Sequence, residues 1–60
     1  MYYFLAHYIE MNTGEEVTKK IEFDGQFLDT ERDIFLYAMG RAYDITENNE
    51  MFSSLEFIAS

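Results

Sequence analysis

The chain has 60 residues, no cysteine and a single histidine, which excludes disulfides, thiolate metal sites and a histidine-built zinc centre. Twelve acidic residues against 4 basic ones give a net charge of −8, a surface that phosphate backbones repel, and a hydrophobic share of 48% is too high for a disordered chain. A domain of this size buries only about 60% of the surface its unfolded chain exposes. With disulfides and metals excluded, association with a copy or another protein is the stabilising device left over.

In chain order, residues 2–11 read as a strand that is apolar on both sides. Tyr3, Leu5 and Ile9 alternate with Tyr2, Phe4, Ala6 and Tyr8, and a strand sends alternate side chains to opposite faces. Asn12-Thr13-Gly14 suits a three-residue hairpin loop with Gly14 in the left-handed region. Closing that loop between Met11 and Glu15 sets Ile9 opposite Val17, Leu5 opposite Ile21, Tyr3 opposite Phe23 and His7 opposite Lys19. On this register the odd positions face the core, Lys19 snorkels to the edge, and Tyr2, Phe4 and Tyr8 form an aromatic outer face.

Residues 16–23 make the second strand, closed by the turn signal Asp24-Gly25. Asp29 or Thr30 caps a helix running to about Ile45, and Thr30-Glu31-Arg32-Asp33 approximates a capping box. Ile34, Phe35, Ala38, Ala42 and Ile45 fall on one stripe, and Leu36, Met39 and Tyr43 widen it. The wet side carries Asp33, Tyr37, Arg41 and Asp44, and Gly40 sits inside the helix at a cost of about 1 kcal/mol against alanine. After an exit at residues 46–50, residues 54–59 read as the last strand, with Met51 and Phe52 plugging the base of the core.

The pattern predicts an α+β fold, a single ββαβ domain over residues 1–60. A right-handed crossover places the first strand in the middle of a three-stranded antiparallel sheet of order 2-1-3, with the helix packed on one face. No repeat, linker or low-complexity segment interrupts it. No basic segment precedes the apolar start and no apolar run approaches a membrane span, so a cytoplasmic protein is expected.

Few residues invite chemistry. His7 lies mid-strand on the expected core face and reads as a packed histidine; Ser53, Ser54 and Ser60 occupy no nucleophile elbow. Asp29-Thr30-Glu31-Arg32-Asp33 resembles the start of a calcium loop, but Ile34 stands where that loop needs glycine and Gly40 where it needs glutamate. Gly14, Gly25 and Gly40 are isolated, so no loop cradles a phosphate. No catalytic residue, metal, cofactor or small-molecule ligand is expected.

An interaction surface is. Tyr2, Phe4 and Tyr8, with Leu36 and Tyr43 as a second patch, are the candidate partner-binding residues, unless the loop Gln26-Phe27-Leu28 or the chain ends fold across the outer face. The same aromatics could imitate a base-stacking platform, but only Lys20 lies near to hold phosphates, so direct nucleic-acid binding is not expected. The expected function is a small acidic interaction module that forms a homodimer, or binds another protein, through that face or an edge strand. On composition the last strand is the less guarded edge, with Glu56 as its one deterrent to pairing. The alternative is an acidic decoy, of the kind mobile elements and viruses use, that occupies the basic site of a nucleic-acid-handling protein. Its candidate surface is Asp33, Asp44 and Glu47.

Overall fold

A computed structural model describes all 60 residues. It contains β1 (Tyr2–Glu10), β2 (Glu16–Phe23), α1 (Glu31–Asp44) and β3 (Glu50–Ala59). β1 is central, antiparallel to both neighbours, in the order β2-β1-β3. The helix lies across one face of this sheet, giving the ββαβ architecture that the order of apolar runs and turn signals predicts.

The hairpin departs from the expected register by one residue. Glu10 N–H donates to Glu15 O (2.8 Å) and Gly14 N–H to Glu10 O (2.7 Å), so the connection closes one residue earlier on β1. Gly14 does hold the left-handed conformation, with φ of 77°. The pairs become Tyr8 with Val17, Ala6 with Lys19, Phe4 with Ile21 and Tyr2 with Phe23. A slip of one residue exchanges the faces of a strand.

β1 therefore turns its even positions inward. The core is Phe4, Ala6, Tyr8, Ile21, Phe23, Ala38 and Ala42. The physical reason lies at the centre of the strand. Ala6, Ala38 and Ala42 are all fully buried, and their small side chains let the helix backbone settle close on the sheet. The opposite facing would have put the His7 ring in that central position. The expected outer-face placement of Phe4 and Tyr8 is thus overturned: they are the largest fully buried side chains in the protein.

Thr30 caps α1, its hydroxyl accepting from Asp33 N–H at 3.1 Å, and Glu31 and Asp33 lie in the first turn where the helix dipole favours acids. Those acids, read above against a calcium loop, are the helix start. The helix ends at Ile45, whose N–H reaches Arg41 O at 3.2 Å. Gly40 is not a close-approach site; a Cβ there would meet open space. Gly25 is, because a Cβ there would strike the Tyr2 ring.

β3 begins at Glu50, four residues before the expected start. Met11 N–H donates to Asn49 O (2.8 Å) and Asn49 Nδ2 to Glu10 Oε1 (3.0 Å), which ties the strand's entry to the hairpin. Register shifts leave Ser53 and Ile58 without partners on β1. Phe52 packs against the core, whereas Met51 points the other way and is exposed.

Candidate functional site: a groove beside β3 and an open sheet face

Under the C-terminal half of α1 the layers are closed by hydrogen bonds. Tyr8 OH donates to Ala42 O at 2.6 Å, and Thr46 Oγ1 donates to the same carbonyl at 2.9 Å. Lys19 does not run to the edge. It turns under the helix end, donating to Ile45 O (2.9 Å) and Glu50 Oε1 (2.6 Å), with its Nζ 4.9 Å from the centre of the Tyr8 ring. Glu47 N–H also donates to Glu50 Oε1, at 3.1 Å. These contacts set the local proton affinities. The Lys19 ammonium, then the Glu47 amide, hold the Glu50 carboxyl below its ordinary value, and Glu50 in turn raises Lys19. Burial raises the Tyr8 hydroxyl. No buried side-chain nitrogen or oxygen lacks a partner, so this end has no spare group to offer a substrate.

Under the N-terminal half the layers stand apart. Tyr2, Phe4, Ile34, Phe35, Leu36 and Phe57 line a groove of about 630 Å³, with Glu31, Arg32 and Ser60 at its rim. The rings meet edge to face rather than filling the space: Phe4 lies 6.3 Å from Phe35 and 5.5 Å from Phe57, centre to centre. Phe35, Leu36 and Phe57 remain 41%, 51% and 54% exposed. The groove runs beside β3, whose far edge has no strand partner.

The sheet face turned away from α1 is a second surface. Tyr3, Leu5, His7 and Ile9 of β1 run down its middle, half-buried by their neighbours. Met51, Ser54 and Glu56 of β3 pair with members of this row, and Ile58 lines a shallow hollow with Tyr3, Leu5 and Lys20. Glu16, Thr18, Lys20 and Glu22 of β2 complete the face. His7 is not packed in the core, as its flanks suggested, but bridges this face: Nδ1 lies 3.5 Å from Glu16 Oε1 and Nε2 3.2 Å from Glu56 Oε1. Lys20 Nζ is 3.7 Å from Glu22 Oε2 and lies over the Tyr3 ring.

Of the five residues singled out for partner binding, the fold brings Tyr2 and Leu36 together at the groove. Phe4 forms its floor and Tyr8 is wholly internal, so neither presents an outer face. Tyr43 is exposed at the other end of the helix, its ring 5.0 Å from Phe52. Asp33, Asp44 and Glu47 are all exposed. Phe27 does not cover the open face; its ring meets Tyr37 at 5.5 Å, and Leu28 packs against the core. Phe35 and Phe57 were missed as surface residues because helix and strand periodicity both assign them inward. No group of three or more His, Cys, Asp or Glu is placed to hold a metal ion, and no helix is long and apolar enough to cross a membrane. No protein-family model, curated protein or solved structure matches this chain.

Proposed function

We propose that the chain is a protein-interaction module that self-associates through the outer edge of β3 and the groove beside it, without a catalytic step. The observation that carries the reading is the exposure of Phe35, Leu36 and Phe57 on adjoining elements around one apolar groove. Contiguous apolar surface on so small a protein marks a contact site.

The edge itself favours a second copy as the occupant. β3 is 10 residues long and lacks proline; its charges are Glu50, turned inward to Lys19, and Glu56. β2, the other edge, carries Glu16, Lys19, Lys20 and Glu22. Charged side chains guard strand edges against pairing, so β3 is the less protected one. Antiparallel pairing of β3 with its own copy about a two-fold axis is self-complementary. It would double the width of the sheet and, because the two strands run in opposite directions, set each copy's groove toward the N-terminal half of the other's β3. The overall charge of −8 opposes such pairing, but Glu56 is the one outward-facing acid on the strand at the seam. The absence of cysteine supports a reducing compartment, the cytoplasm, as its location.

The acidic-decoy alternative requires carboxylates in a spaced row. Asp33 and Asp44 fall on the same side of α1 about 16 Å apart, with Arg41 between them on that side. Ionic strength separates the two readings. A decoy complex weakens steeply with salt, whereas pairing of two copies does not weaken and gains as salt screens the repulsion between them.

Light scattering coupled to size exclusion, run over a dilution series, is the test. The reading predicts twice the 7.1 kDa chain mass at the higher concentrations, in low and high salt alike. Phe57→Lys should give a folded monomer. A wild-type chain that stays monomeric throughout would overturn the proposal.

A further inference from the structure

The open sheet face differs from the groove in one chemical respect: its apolar row is bordered by acids on both sides. Glu16 on β2 and Glu56 on β3 stand either side of the row at His7, and Glu22 lies further along β2. The one lysine on this face, Lys20, is engaged by Glu22 and the Tyr3 ring. Two of these three carboxylates therefore have only a histidine ring between them. We propose that this face docks a basic amphipathic helix of another protein, with its aliphatic side chains on the Tyr3–Leu5–Ile9 row and its Lys or Arg side chains on Glu16 and Glu56.

The dimensions fit one helix. Tyr3 to Ile9 spans about 20 Å along the strand, the length of roughly 13 helical residues. Three strands span about 10 Å from first to last, close to the diameter of one helix. The reverse face of the same sheet already carries α1, a helix of 14 residues. Charge selects the partner's sign, because an acidic helix would meet Glu16, Glu22 and Glu56 without a free cation to receive it. His7 occupies the place a partner's cation would take. A fixed positive charge at that position should therefore compete with docking.

The test uses the full chain and two labelled synthetic 14-residue peptides with the same leucine stripe, one lysine-rich and one glutamate-rich. Binding is read by fluorescence anisotropy at low protein concentration. The lysine peptide should bind and the glutamate peptide should not. The double variant Glu16→Gln/Glu56→Gln should weaken binding roughly fivefold, and Leu5→Ser roughly tenfold. His7→Lys should weaken it more than His7→Gln. Leu36→Ser, at the groove, should leave it unchanged, and circular dichroism confirms that each variant is folded. If Leu5→Ser alone fails to fold, the glutamine pair and the His7 variants still decide. Equal binding of both peptides, no binding of either, or loss with Leu36→Ser but not with the open-face variants would overturn the proposal. So would a wild-type dimer that Leu5→Ser, still folded, converts to monomer, because a second copy would then be the occupant. Failure of β3 self-pairing leaves these readouts untouched.

Discussion

The two ends of α1 meet the same sheet on different terms. At the C-terminal end, Ala38 and Ala42 bring the backbone close, and Tyr8, Lys19, Thr46 and Glu50 close the space with hydrogen bonds to the last helical carbonyls and to one another. At the N-terminal end, Phe4, Phe35 and Phe57 stand around a groove that nothing in the chain fills. The contrast separates what holds the domain together from what it has free for contact. Polar groups with every bond made fix one geometry. Apolar rings left in water have their favourable burial still to gain, and on the proposed reading a second copy would supply it.

Substitutions at the two ends should have different consequences. Ala42→Leu forces the closed end apart and should destabilise by about 1–3 kcal/mol, read as a fall in the urea midpoint. Tyr8→Phe removes only the hydroxyl donor to Ala42 O and should cost about 1 kcal/mol. Phe57→Ser at the open end, half exposed and with an edge contact to Phe4, should cost the monomer no more than about 1 kcal/mol, while abolishing the concentration-dependent mass. If Phe57→Ser instead destabilised the monomer as much as Ala42→Leu, the open end would be core and the contrast would collapse.

The closed end also has a pH signature. Glu50 and Glu10 have folded pKa values below the ordinary 4.5, Glu50 chiefly through Lys19 and Glu10 chiefly through the Asn12 amide. Their contributions are fully present above pH 4.5 and are lost as the pH falls through those folded values. Lys19 is raised above 10.5 by its bond to Glu50, and Tyr8 above 10.0 by burial, so their contributions are present below those values and lost as the pH rises past the folded ones. Denaturation followed against pH should show both arms. Glu50→Gln should shrink the acid arm, and the alkaline arm with it, because Lys19 loses its principal partner.

Much of this fold could be read from sequence. The turn signals at Gly14 and Gly25, the Thr30 cap and the helical stripe gave four elements and the strand order. The facing of β1 could not be read from periodicity, because a strand apolar on both sides satisfies either choice. A discriminating signal was present at the centre of the strand: Ala6 suits a helix of Ala38 and Ala42 above it, and His7 suits a face with water and carboxylates. The pairing of Lys19 with Glu50 was hidden for another reason. It joins residues 31 apart across two elements, and no local pattern encodes it. The expected outer-face placement of Phe4 and Tyr8 failed for the same reason as the register, because it depended on the facing of β1.

If the unfilled end joins two copies, the mass of the chain in solution reports it. Light scattering on wild type and Phe57→Lys, across a dilution series in high salt, should give a wild-type dimer that dissociates on dilution and a variant that is monomeric and folded at every concentration. A wild-type chain at 7.1 kDa throughout, or a Phe57→Lys dimer as stable as wild type, would rule out pairing of copies through this end.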